Sequence, residues 1–248
     1  MCTIVLLRRA SHPWPLLVAA NRDEMLSREA LPPGRHWPDQ PSVIAGKDLT
    51  AGGTWLALSD QGVFAAISNR RGSLGPAEGL RSRGEIPLKA VAHHSAARAA
   101  ADLAGLDAGH YRPFNLVIAD RHDAFWLCKR EAAAAIESCP IPFGLTMLTA
   151  VDLDDPTSLR IRHYLPRFRA AAAPRPEVGE WAEWRALLVS RQGADADDPN
   201  SAMTVATADG FGTVSSSLIA LPKEPGLPPV WLFAPGRPDE TSFEPVDI

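Results

Sequence analysis

Residues 1–24 read MCTIVLLRRASHPWPLLVAANRDE, and the way this stretch folds decides the rest. TIVLL and PLLVAA are β-prone aliphatic runs parted by the turn signal His12-Pro13. Paired as a hairpin, they return Asn21-Arg22-Asp23-Glu24 to the neighbourhood of Cys2. A cysteine directly behind the initiator methionine sits where chains fray and packing seldom rewards it. Once Met1 leaves, Cys2 carries a thiol and a free α-amine whose pKa is about 8, so the amine can act as the thiol's own base. Asp23 is of the right type to hold that amine, and Arg22 to lower the thiol pKa. The bland alternative is a solvated polar turn beside a cysteine of no consequence.

The pattern of hairpins continues down the chain. GTWLALS and GVFAAISN flank Asp60-Gln61-Gly62, and FNLVIAD and AFWLCKR flank Arg121-His122-Asp123. VSSSLIALP and PVWLFAPG close the chain as two more strands, while the Pro- and Gly-rich span 32–53 reads as turns. Between them the period changes. Leu88, Val91, Ala92, Ser95, Ala99 and Leu103 share one face of a helix predicted over 87–104. A second helix is expected over 158–173, burying Leu159, Tyr164, Leu165 and Phe168, with Pro166 kinking or splitting it. EWAEWRALLVS adds a third, with Trp181, Trp184, Leu187 and Leu188 at helical spacing. Antiparallel hairpins interrupted by helical blocks give an α+β class. Strands apolar on both sides suit two mainly antiparallel sheets stacked face to face, helices outside. No repeat or linker divides residues 1–248, so one domain is expected.

Composition excludes several classes of function. With 25 basic and 29 acidic residues the net charge is −4, which gathers neither nucleic acid nor anionic membrane. No apolar stretch is long enough to span a bilayer. The opening apolar run is short and broken by Arg8 and Arg9, unlike a signal peptide, so residence is expected in the cytoplasm. Cys2, Cys128 and Cys139 lack metal-ligand spacing and form no disulfide framework. The His93-His94 pair has no cysteine or HExxH context. No metal and no cofactor are expected. Cys128 reads as a buried strand residue, His93 and His94 as helix surface, Trp181 and Trp184 as core.

Two further motifs can carry chemistry. Gly52-Gly53-Thr54-Trp55 precedes a strand, where glycines either make a turn or admit a close backbone approach to a ligand. Asn69 ends a strand in Ile67-Ser68-Asn69-Arg70-Arg71, placed to donate to an oxyanion or to close an Asx-turn.

MCT, NRDE, GGTW and SNRR, in this order and followed by Ser82-Arg83-Gly84, resemble the NRDE family. This family is also called transport and Golgi organisation protein 2-like. The resemblance continues through Pro113-Phe114-Asn115-Leu116, Gly144-Leu145-Thr146 and Gly212-Thr213-Val214-Ser215-Ser216. It implies a four-layer αββα sandwich of the N-terminal-nucleophile hydrolase type, and a further similarity to the amidases of the choloylglycine hydrolase group. By that similarity Cys2 is the nucleophile, Asp23 holds its amine, Asn69 is an oxyanion donor and Arg22 a nearby cation. Asn21, Glu24, Gly53, Thr54 and Trp55 stand as candidate substrate contacts. The chain has Met147 and Val214 where the family usually has asparagine and arginine, positions tied to a second oxyanion donor and a supporting cation. The implied partner is a small molecule: an amide for a hydrolase, or haem, an acyl-lipid or acyl-CoA for a binding and trafficking protein that keeps the fold without catalysis.

Overall fold

In a computed structural model, described for residues 2–248, the aliphatic runs become strands of two antiparallel sheets. In chain order the elements begin with β1 (Thr3–Arg8), β2 (Leu16–Met25), β3 (Ala30–Gly34), β4 (Val43–Asp48), β5 (Leu56–Ser59) and β6 (Phe64–Asn69). Helices α1 (Glu85–Val91) and α2 (Ala96–Ala104) follow, then β7 (Phe114–Ala119), β8 (Ala124–Lys129), β9 (Glu137–Pro140) and β10 (Gly144–Leu148). The chain ends with α3 (Leu159–Ala170), α4 (Ala182–Leu188), β11 (Phe211–Leu221), β12 (Val230–Ala234) and β13 (Glu244–Pro245). The α+β class read from the sequence is borne out.

The chain groups into two compact units. One runs from the chain start to Ser27 and takes in Phe143–Asp247; the other is Arg28–Pro142 with Ile248. The first holds a six-stranded sheet ordered β10-β1-β2-β11-β12-β13. The hairpin expected from residues 1–24 supplies its second and third strands, with Thr3 opposite Asn21 and Arg8 opposite Leu16. One face of the sheet, with Val5, Leu17, Ala19, Met147, Leu218 and Ala220, packs against Ile161, Tyr164, Phe168 and Trp184 of α3 and α4. Trp181 and Trp184 are core, as expected.

The second unit holds a seven-stranded meander, β3 to β9 in sequence order. Ala45, Ala57, Ala65, Ile67, Leu116 and Leu127 pack in one cluster with Ile86 and Val91 of α1 and with Ala99 and Leu103 of α2. Cys128 is buried in β8, as its apolar surroundings imply.

Three expectations about elements need correction. The helix predicted over 87–104 is two helices, because Ser95 caps a new one: its hydroxyl accepts from Arg98 N at 3.3 Å. Asp120 adds a second cap, accepting from Ala96 N at 2.7 Å. His93 and His94 lie between the two helices, not on a helix face. The helix expected to kink or split at Pro166 is not split, since α3 runs on through that residue. The span 32–53 is not all turn, since it contains the end of β3 and the whole of β4. Pro32 and Pro33 are tolerated because β3 is an edge strand, where a missing N–H breaks no ladder.

Candidate functional site

The site is built where β1 starts and β2 ends. Paired and alternate residues of a ladder share a face, so Thr3, Asn21 and Asp23 lie on the face covered by α3 and α4. Arg22 lies on the opposite face, and Cys2 immediately precedes β1. The half-buried Cys2 thiol donates to the Asp23 carbonyl oxygen at 3.8 Å. Burial pushes the thiol pKa up and the Asp23 charge adds to this, while Arg22 pulls it down.

Asp23 is fixed from two sides. Arg160, in the first turn of α3, donates from Nη1 to Asp23 Oδ2 at 2.8 Å, and both side chains are almost fully buried. The same nitrogen donates to Thr3 Oγ1 at 2.6 Å, and Arg160 Nε donates to the Asn200 carbonyl at 3.1 Å. Ser158 sets this turn in place by capping α3 through Ile161 N. From β11, Thr213 Oγ1 donates to Asp23 Oδ1 at 2.7 Å and itself accepts from Val205 N at 2.9 Å. Thr213 stands directly opposite Asp23 in the ladder.

Asn21 serves the neighbouring rung. Its Nδ2 donates to the carbonyls of Leu188 and Met203 at 3.1 and 2.9 Å, and its Oδ1 accepts from Ser216 Oγ at 2.5 Å. The amide is committed to the protein's own backbone. The Glu24 carboxylate accepts from Met25 N at 3.0 Å.

The structure thus brings Cys2, Arg22 and Asp23 together. Gly53, Thr54, Trp55 and Asn69 belong to the second unit and have partners there. A Cβ on Gly53 would come within 2.4 Å of the Gly84 carbonyl carbon, and Thr54 N donates to Gly84 O at 2.8 Å. The close approach that Gly53 permits is therefore to another glycine's backbone. Thr54 is buried and donates to Leu56 O; the Trp55 ring lies where a side chain on Gly46 would stand. Asn69 is the last residue of β6, paired with Phe114.

Arg160 escaped the sequence reading, since nothing in sequence sets it apart from Arg162, Arg167 and Arg169 of the same helix. Thr213 and Ser216 lay inside a quoted motif, but nothing in sequence placed that motif against NRDE. Of the two departures, Met147 is buried on the helix-covered face and pairs with Val5. It lies about 10 Å along the strand from Cys2, given a rise of about 3.3 Å per residue. Val214 sits at the bulge between Thr213 and Ser215, where the two strands lose register. Among the described residues no group of three or more His, Cys, Asp and Glu side chains could hold a metal ion. No helix there is long and apolar enough to cross a membrane.

Solved structures share this fold, which is N-terminal-nucleophile-hydrolase-like. An N-acylethanolamine-hydrolyzing acid amidase ortholog from Caenorhabditis elegans superposes with a TM-score of 0.55 at 11% identity, over 92% of this chain and 94% of that one. The C2A mutant of the conjugated bile acid hydrolase from Clostridium perfringens gives 0.53 at 11% identity, over 100% of this chain and 97% of its own. The chain itself belongs to the Transport and Golgi organisation 2 family, whose sequence model matches residues 1–224. The Transport and Golgi organization protein 2 homolog of Bos taurus is 34% identical over 116 residues, and that of Homo sapiens 29%. Those matches cover 45% of this chain and 41% of the relatives' own length.

Proposed function

We propose that the protein is a cysteine hydrolase of non-peptide amides with Cys2 as nucleophile. The observation that carries this reading is the Cys2 thiol just before β1, in contact with the backbone carbonyl of Asp23, a residue whose buried carboxylate is held by a guanidinium and a hydroxyl. A thiol whose pKa is raised by burial is neutral at rest, so it needs a base at the moment of attack. Removal of Met1, which lies outside the described residues, would supply that base as the α-amine of Cys2.

In this scheme the α-amine takes the thiol proton as sulfur bonds to the amide carbonyl carbon. The oxyanion collapses, the C–N bond breaks, and the α-ammonium gives its proton to the leaving amine. Water then attacks the thioester with the same amine as base, releasing the acid and restoring the thiol. Asp23 orients the α-amine and Arg22 supports the thiolate. Asn69 is proposed as the oxyanion donor on the strength of the sequence resemblance, and Asn69→Ala tests it with an expected loss of about 10²–10³ in kcat.

The deciding experiment is intact-mass analysis with brief iodoacetamide labelling and peptide mapping. Loss of Met1 with labelling of Cys2 faster than the exposed Cys139 supports the scheme, as does amide cleavage abolished by Cys2→Ser. Retained Met1, or a Cys2 no more reactive than Cys139, overturns it and directs the search to haem or acyl-CoA binding.

A further inference from the structure

We infer that Arg160 is the positioning residue of this site: it holds Asp23 in the one orientation that serves Cys2. The inference rests on the nucleophile reading above and deepens it. Its ground is geometric. One nitrogen, Nη1, bridges Thr3 Oγ1 at 2.6 Å and Asp23 Oδ2 at 2.8 Å, tying the residue after the nucleophile to the carboxylate that faces it. The guanidinium is anchored from behind by the Asn200 carbonyl, and its position in the first turn of α3 is set by the Ser158 cap. Thr213 takes the other carboxylate oxygen. The carboxylate plane is thereby fixed by two donors from two elements, α3 and β11, that lie far from β1 and β2 in sequence.

A fully buried ion pair is a poor device for stability alone, because desolvating two charges offsets most of their attraction. What such a pair can contribute instead is registry. Here the registry is that of Thr3, the first residue of β1 and the one after Cys2, and Asp23, near the end of β2. The charged groups acting on Cys2 are the N-terminal ammonium, which lowers its pKa, and Asp23 and Arg22 of β2, with Arg160 of α3 behind Asp23. Asp195 and Asp198, in the loop that supplies the Asn200 carbonyl, accept from the backbone N–H groups of Asp197 and Asn200. Arg160 is a cation in direct contact with the Asp23 carboxylate.

The test is the pH profile of Cys2 alkylation by iodoacetamide in the full-length protein, read by peptide mapping, with Cys139 as internal reference and a thermal melt as fold control. Removing a cation behind Asp23 leaves more net negative charge beside the thiol, so thiolate forms at higher pH. In R160M the midpoint should rise by about one pH unit and labelling at pH 7 should fall about tenfold. Cys139 labelling should stay unchanged, and R160K should recover part of the loss. Thr3→Val, which keeps the ion pair and removes the bridge, should give a smaller loss of about threefold.

A folded R160M with the wild-type midpoint overturns the inference while leaving the nucleophile reading intact. If R160M does not fold, wild-type profiles in both R160K and Thr3→Val overturn it. An unreactive Cys2 in the wild-type protein overturns the nucleophile reading and the inference together, so the two failures are told apart by the wild-type control.

Discussion

Both units build an antiparallel sheet with helices on one face, yet they bury polar side chains in different places. In the first unit the buried polarity is gathered at one end of the sheet: Thr3, Asn21, Arg22, Asp23, Thr213 and Ser216, with Arg160 descending from α3. In the second it is spread along β5 to β8, as Ser59, Ser68, Asn115 and Lys129, with Thr54, Ser73 and Asp120 in connections, while half-buried arginines tie the loops. Arg83 reaches the carbonyls of Ser73 and Pro113 at 2.8 and 2.9 Å, and Arg112 reaches those of Leu74 and Gly72 at 2.5 and 3.1 Å. Gly53 and Gly84 press backbone against backbone. Motif residues of the first unit meet around the Asp23 carboxylate, whereas Gly53, Arg83 and Gly84 of the second hold loops in position. Family motifs of equal prominence in sequence therefore differ in what they do.

That contrast can be broken by substitution. The largest effect is expected for Asp23→Ala, which leaves the Arg160 guanidinium buried without its counter-ion and should cost about 3–5 kcal/mol in urea unfolding. Adding R160M to it should recover part of that loss; a strictly additive double variant would mean the pair is not coupled. Next comes the second unit. Gly53→Ala places a Cβ against the Gly84 carbonyl carbon and should cost about 1–3 kcal/mol, lowering Tm. An unchanged Tm would show that the two loops separate readily.

Asn21→Ala should cost about 1–3 kcal/mol, because the Leu188 and Met203 carbonyls and the Ser216 hydroxyl lose a buried partner. Hydrogen exchange at the end of β2 would locate the loss. The smallest effect lies on α1. Tyr111 donates to Glu85 Oε1 at 2.5 Å, and burial and that bond push the phenol up to about 12. Burial alone would push the Glu85 carboxyl up, but the Tyr111 bond and the Lys89 and Arg81 cations outweigh it and leave its pKa below the usual value. The stability this gives is present above the ordinary carboxylate pKa and is lost as pH falls through the depressed one. Wild type should therefore lose about half a kcal/mol more than Glu85→Gln on acidification, the scale of a partly exposed pair. Equal acid sensitivity in the two proteins would remove the role given to Glu85.

Much of the architecture was legible because strands that are apolar on both sides leave long aliphatic runs, as in β1, β2, β7 and β11. The edge strands β3 and β9 were not, since an edge tolerates Pro32, Pro33 and Pro140 and so lacks the strand signal. β4 was hidden in a Pro- and Gly-rich neighbourhood. The break between α1 and α2 carried a signal in Ser95, but the apolar period ran straight across it. Of the site, Cys2, Arg22 and Asp23 were visible because one short hairpin brings them together.

What the sequence determined by itself was the order of hairpins and helices, the family, and the nearness of NRDE to Cys2. These depend on local pattern and on contacts between neighbours in the chain. The tertiary structure alone decided that Arg160 and Thr213 hold Asp23, that Asn21 is committed to carbonyls on two other segments, and that Gly53 faces Gly84. Arg160 lies 137 residues from Asp23, and Thr213 lies 190. No periodicity reaches across such distances; only the packing of α3 and the register of β11 against β2 bring those groups within a hydrogen bond of one carboxylate.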